Sequence, residues 1–150
     1  MNTPWELIGR LIHFLSQPVL KLIMKNSIRA RVIIRSGNKI LFVHSWVSRN
    51  MWELPGGGLK SQETGAAAAV REVEEETGIK LEPEELNKLA ELTGDNGETE
   101  IIYLVELKNE LPVKLRPLEL TRYSWLDLEQ ISASSLNDVA DQAIELLDRL

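Results

Sequence analysis

From residue 56 to residue 79 the chain carries Gly56-Gly57-Gly58-Leu59-Lys60-Ser61-Gln62-Glu63, then, after seven residues, Arg71-Glu72-Val73-Glu74-Glu75-Glu76-Thr77-Gly78-Ile79. A glycine-rich turn stands just before a segment built to be helical. Thr64 is placed to cap its N-terminus, Gly78 to end it in the left-handed region, and Ala66 to Val73 is a run of helix formers. A helix of roughly three to four turns follows. On it Glu72 and Glu76 stand four apart with Glu75 between them, on one face. Ala66, Ala69, Val70, Val73 and Thr77 recur at helical spacing on the other face, which is the buried one. Three carboxylates on one turn repel one another unless a cation sits among them. Hard Mg²⁺ or Mn²⁺, with oxygen ligands and retained waters, suits such a set. The simpler reading is a solvated acidic face, but the glycines upstream weigh against it: they let backbone approach a ligand closely and can present carbonyls to a metal or amides to a phosphate.

The segment resembles the Nudix box: Gly57, five residues, Glu63, seven residues, Arg71-Glu72, an aliphatic, any residue, Glu75-Glu76, any residue, Gly78, an aliphatic. Every fixed position matches, which chance would produce about once in 10⁸ starting positions. The resemblance implies metal-dependent attack of water on a phosphorus of a pyrophosphate, with no covalent nucleophile. It implies Glu72, Glu75 and Glu76 as metal ligands together with the backbone carbonyl of Gly56. Arg71 would orient the carboxylates by a charge-assisted pair with Glu75, four residues on, and Glu63 would tie the glycine loop to the helix. Gly57 and Gly58 would lie against the substrate, a nucleotide or nucleotide derivative: a nucleoside diphosphate linked to another moiety, or a nucleoside triphosphate. A non-catalytic nucleotide-binding or regulatory domain of the same fold is the alternative, and an intact carboxylate set argues against it.

Other side chains carry weaker signals. Asp95, Glu98 and Glu100 lie in or beside a polar loop that supplies a further ligand or base in some members of the family, and Glu119 stands upstream of Trp125 in a comparable place. Loop carboxylates are more often simply solvated. Trp46 and Trp52 could stack on a base, although packing is the commoner use of tryptophan beside a glycine turn. His13 and His44 read as structural or exposed.

Around this segment the chain is organised as one domain with an extension. Ile28–Arg35 and Lys39–His44 flank Ser36-Gly37-Asn38 as a hairpin. Leu86–Thr93 and Thr99–Leu107 read as strands, and Tyr123–Leu126 as a short one. Asp127 caps a turn of helix, and Asn137–Leu150 closes with a helix bearing Val139, Ala140, Ala143, Leu146 and Leu147 on one face. Glu82–Glu85 reads as a solvated loop or helix start. Strands with helices between and after them give an α/β class and a mixed sheet covered on both faces, an α/β/α sandwich over residues 28–150. The resemblance implies the Nudix fold for the same span.

Residues 1–26 stand apart. Thr3-Pro4-Trp5-Glu6 is a helix start, and Ile8, Leu11, Ile12, Leu15, Val19, Leu22 and Ile23 form a stripe opposite Glu6, Arg10, His13, Gln17 and Lys21. Pro18 predicts a kink near Gln17. Charges interrupt every apolar run, so neither a membrane span nor a signal peptide is expected. Three uses stand open for this helix: packing on the core domain, homodimerisation, and peripheral contact of residues 4–25 with an anionic membrane.

The net charge of −6 is unevenly spread. Six basic residues against one acidic make residues 1–35 +5, so the rest carries −11. That balance speaks against a binder of duplex nucleic acid. With no cysteine, disulfides and thiolate metal sites are excluded and a cytoplasmic location is expected.

Overall fold

The computed structural model describes residues 27–48, 50–94 and 96–150. The helix expected over residues 1–26, with its kink, lies outside them, as does Asp95. Six strands form one sheet: β1 (Ile28–Ser36), β2 (Lys39–Ser45), β3 (Gly56–Gly58), β4 (Asn87–Thr93), β5 (Thr99–Leu107) and β6 (Leu120–Asp127). Their order is β4-β5-β1-β2-β6, with β3 pairing β1. β1 and β5 run parallel at the centre, Ile28 opposite Thr99 through Ser36 opposite Leu107, and the remaining pairs are antiparallel.

A parallel pair needs a long crossover. Here the crossover from β1 to β5 includes helix α1 (Gly65–Thr77), which packs on one sheet face. Helices α2 (Leu128–Ser132) and α3 (Asp138–Leu147) cover the other. The alternation of β1 serves both layers. Ala30, Val32 and Ile34 meet Ala68, Ala69 and Val73 of α1, while Ile33 joins Phe42, Leu54, Ile102, Val139, Ala140, Ala143 and Ile144. Each of the largest side chains buried here, such as Phe42 and Leu41, contributes about 1.5–3 kcal/mol of transfer free energy.

The caps fall where expected. The Thr64 hydroxyl accepts from the Ala67 amide at 3.2 Å, and Gly78 takes φ 73° while its N–H donates to the Glu74 carbonyl. Asp127 and Asn137 cap α2 and α3. Three details differ from the sequence reading. Gly56–Gly58 is a strand rather than a free turn, laid antiparallel on β1 with Ala30 opposite Gly57. β6 begins at Leu120, because an edge strand with exposed Thr121, Arg122 and Tyr123 carries no alternating signal. On α3 it is Ile144, not Leu146, that is buried with Val139, Ala140 and Ala143, since positions 140, 143, 144 and 147 continue one stripe. No helix among the described residues is long and apolar enough to cross a membrane.

Candidate active site

The site is the seam between β3 and α1. Gly56 has φ 140°, and a Cβ there would lie 2.0 Å from the Ala30 carbonyl oxygen, so only glycine allows the strand to lie against β1. Gly57 is required from the other side: a Cβ on it would sit 2.5 Å from Cδ of Glu72. The helix therefore rests a carboxylate directly on the glycine backbone. One turn further on, Glu76 Oε2 accepts from the Gly56 amide at 2.9 Å.

Glu76 does not belong to the exposed acidic face. It is 9% exposed, because position 76 follows Val73 by three and lies at the edge of the apolar stripe. Burial pushes its carboxyl up to about 7, against the opposing pull of the Gly56 amide and Arg31. A carboxylate kept in so dry a place and aimed at a glycine turn favours a cation beside it.

Arg71 braces the arrangement. Its Nε and Nη2 reach Glu63 Oε1 and Oε2 at 2.8 and 2.9 Å, Nη1 reaches Glu72 Oε1 at 2.7 Å, and Nη2 donates to the Gly58 carbonyl at 3.0 Å. The expected pair with Glu75 is present but longer, at 3.6 Å. Glu63 also accepts from the Lys60 amide at 2.8 Å, so it ties loop to helix as the resemblance implied. The Arg71 and Lys60 hydrogen bonds hold its carboxyl down at about 2. A lowered folded value means stability that is complete above the unfolded value near 4.3 and is lost as pH falls toward 2. Wild type is thus expected to lose stability between about pH 4.5 and 2 more steeply than Glu63→Gln, as urea unfolding at pH 5 and pH 3 would show. Equal slopes for the two proteins would contradict this.

Glu75 lies between two guanidiniums, Arg71 and Arg116, the latter at 3.1 Å. Arg116 also meets Glu119 at 3.0 Å. Glu119 itself stands near enough to Glu76 to work against its ionisation. Behind the glycines Arg31 donates through Nη1 to the carbonyls of Leu54 and Gly56 at 3.2 and 3.0 Å, and its Nε meets Glu100 Oε2 at 3.1 Å. Neither Arg31 nor Arg116 was singled out by the sequence, because their partners lie 69 and 41 residues away.

The other candidates fall as follows. Glu100 is buried in β5, paired with Arg31 and with Arg29. Glu98 is buried and accepts from the Asn96 amide at 2.9 Å, closing the turn between β4 and β5. Trp46 is half-buried in the turn after β2. Trp52 packs on the second core, edge-on to His44 with ring centroids 5.8 Å apart and with Arg122 over it at 5.5 Å. Its ring is engaged in packing. His44 is buried beside Thr121, Nδ1 to Oγ1 3.0 Å.

Among the described residues no three metal-binding side chains converge on one ready-made cation position. Each carboxylate instead has a protein partner: Glu72 has Arg71, Glu75 has Arg71 and Arg116, and Glu76 has the Gly56 amide. The donor set still fits a hard divalent ion, being all oxygen, with one carboxylate that its surroundings leave undercompensated.

The NUDIX domain pattern matches residues 25–150, and the chain belongs to that family. A MutT-like protein of Streptomyces ambofaciens is 31% identical over 119 residues, 79% of this chain and 75% of the relative. An RNA pyrophosphohydrolase of Pelagibacter ubique is 30% identical over 120 residues, 67% of this chain and 75% of the relative. Among solved structures, a bifunctional NMN adenylyltransferase/ADP ribose pyrophosphatase of Francisella tularensis, complexed with AMP and a manganese ion, matches with a TM-score of 0.73 at 23% identity, over 95% of this chain and 48% of that one. The last likeness bears on the fold alone. The chain is a Nudix hydrolase, an enzyme of the class acting on phosphorus-containing anhydrides.

Because Glu72 is seated on Gly57, Gly57→Ala is expected to displace that carboxylate rather than unfold the protein. Turnover should fall on the order of 10²-fold, with stability changed by about 1 kcal/mol or less. Paired kinetics and urea unfolding check it, and a variant with full turnover would show that Glu72 need not rest there.

Proposed function

We propose that the chain hydrolyses a pyrophosphate bond in a nucleoside diphosphate linked to another moiety, or in a nucleoside triphosphate, at the β3–α1 seam. The observation that carries this reading is the seating of Glu72 and Glu76 against the backbone of Gly56–Gly57 by Arg71 and the Gly56 amide. Glu72, Glu75 and Glu76, with the Gly56 carbonyl, would hold Mg²⁺ or Mn²⁺. When bound, such an ion neutralises phosphoryl oxygens and lowers the pKa of the attacking water. The chain's own residues fix the geometry. Gly57 gives its side-chain space to the Glu72 carboxylate, and Gly58 has open space where a side chain would stand, leaving its backbone open to a diphosphate. Arg71, gripped along its Nε–Nη2 edge by both oxygens of Glu63, cannot swing away, so its Nη1 holds Glu72 at one angle. The buried position of Glu76 keeps bulk water from its oxygens and strengthens its interaction with any cation.

The names of the similar proteins put RNA and ADP ribose on the panel, and nucleoside triphosphates and dinucleoside polyphosphates complete it, each with Mg²⁺, with Mn²⁺ and with EDTA. Chromatography of products is expected to show turnover with a divalent ion and its loss in EDTA. Absence of metal-dependent turnover on the whole panel would sink the reading. A thermal-shift screen narrows the substrate, since a ligand at about 100 times its Kd stabilises by roughly 2.7 kcal/mol.

A further inference from the structure

Three arginines surround the seam, and they are not equivalent. Arg31 is buried and committed to Glu100 and two carbonyls. Arg71 is 19% exposed at its side chain and holds Glu63, Glu72 and Gly58 at once. Arg116 is 47% exposed, and its contacts with Glu75 and Glu119 are both made through one terminal nitrogen, Nη1.

Its backbone, by contrast, is fixed. The segment between β5 and β6 is stitched to the C-terminus of α1 by Lys114 N–H to the Thr77 carbonyl at 2.8 Å and Arg116 N–H to the Glu76 carbonyl at 3.0 Å. These bonds satisfy helix-end carbonyls that would otherwise lack donors, and they put Arg116 beside the turn that carries Glu75 and Glu76. Two residues later Leu118 takes φ 67°, and Glu119, the residue before β6, comes back to face the guanidinium. A firmly held backbone thus carries a side chain tied only by half-exposed ion pairs. Such pairs are weak, whereas a guanidinium meets a phosphate through two parallel charge-assisted hydrogen bonds.

Charge balance gives the reason to exchange them. Glu63, Glu72, Glu75 and Glu119 face Arg71 and Arg116 around the seam, and Glu76 adds a fifth carboxyl, within the influence of Arg31, whose own charge is committed to Glu100. An anionic diphosphate entering there meets an excess of like charge. A cation held by Glu75 would compete with Arg116 for that carboxylate and leave the guanidinium free for the substrate. We propose that Arg116 is a substrate-binding residue: held over the carboxylate turn by Glu75 and Glu119, it transfers to the phosphate oxygens of the bound diphosphate. This rests on the hydrolase reading of the same site.

The test compares wild type, Arg116→Ala and Arg116→Lys. Affinity for a non-hydrolysable nucleoside diphosphate analogue is measured by calorimetry with Mn²⁺, and Mn²⁺ binding without nucleotide by electron paramagnetic resonance. Kinetics follow on whichever substrate the panel yields. Arg116→Ala is expected to weaken the analogue and raise KM by about 10- to 100-fold, the size of a charged hydrogen-bond pair, with kcat changed only a few-fold. Its Mn²⁺ affinity without nucleotide should be equal or tighter, since a competing cation has gone, and Arg116→Lys should recover part of the analogue affinity. Unchanged analogue affinity and KM would overturn the proposal, and so would weakened Mn²⁺ binding with a fall in kcat alone, which marks a residue that positions the carboxylates. If wild type hydrolyses nothing yet binds the analogue through Arg116, it is the hydrolase reading that fails.

Discussion

Replacing Glu76 by glutamine is expected to lower turnover on the order of 10³-fold or more while leaving the protein, in EDTA at pH 8, at least as stable as wild type. On the proposed reading the rate effect follows from removing a charged oxygen that would ligate the metal, a contribution of several kcal/mol of transition-state stabilisation. The stability effect follows from where the carboxylate sits. Glutamine keeps an oxygen for the Gly56 amide, so the 2.9 Å hydrogen bond and the shape of the site survive. What is lost is a buried charge. Burial lifts this carboxyl to about 7, above an unfolded value near 4.3, so the fold favours its protonated form. The cost of ionising it is absent below about pH 4, grows as pH rises toward 7, and is fully present above that. Glutamine never pays it. Thermal melts in EDTA at pH 5 and pH 8 should therefore show wild type dropping relative to the variant, and kinetics with Mg²⁺ should show the variant nearly inactive. A variant that melts well below wild type at pH 8 would mean that the carboxylate is needed for folding; one with wild-type rates would remove Glu76 from the chemistry.

Glu76 also marks the limit of what the sequence made legible. The helix that carries it was readable with both ends, because Thr64 and Gly78 are capping residues whose preference is local. Strand β5 was readable to its terminal residues, since a β-branched and aromatic run such as Ile101–Val105 needs no partner to be recognised. That Glu63 ties the loop to the helix was legible through the resemblance, but not that it does so by gripping Arg71, whose expected partner was Glu75. Local patterns fail where a residue's environment is set by a strand elsewhere in the chain. Gly56–Gly58 has no strand propensity of its own; it is a strand because β1 offers its backbone over Arg29–Arg31, and glycine at position 56 clears the Ala30 carbonyl. Glu76 is buried because that strand covers it. Arg29 and Glu100 become neighbours only through the parallel register of β1 and β5, which no spacing in the sequence encodes. Arg116 reaches Glu75 through backbone bonds to the end of α1, made by a segment without periodicity.

The hidden pair behind the glycines carries the second large effect. Arg31→Met is expected to cost about 3–5 kcal/mol, the usual result of removing one partner from a buried ion pair. Glu100, 1% exposed, would be left with Arg29 alone, at 3.4 Å and itself partly exposed. Burial works against the charge of Arg31, yet Glu100, Glu53 and Glu76 together raise its affinity for the proton, so the guanidinium stays charged where it is. Set against a typical stability of 5–15 kcal/mol, that loss brings the protein near its folding threshold. The double variant Arg31→Met with Glu100→Leu separates charge from anchoring. Taking away both charges should recover much of the stability, because well-packed apolar replacements of an ion pair are often neutral. Activity should not return with it. The carbonyls of Leu54 and Gly56 would still lack the donor that holds them at 3.2 and 3.0 Å, and the turn facing Glu72 and Glu76 would lose its support from behind. Urea unfolding and turnover measured on both variants decide the matter. Recovery of stability and activity together would show that Arg31 matters only as a counter-charge, whereas recovery of stability alone places it among the residues that shape the glycine turn for catalysis.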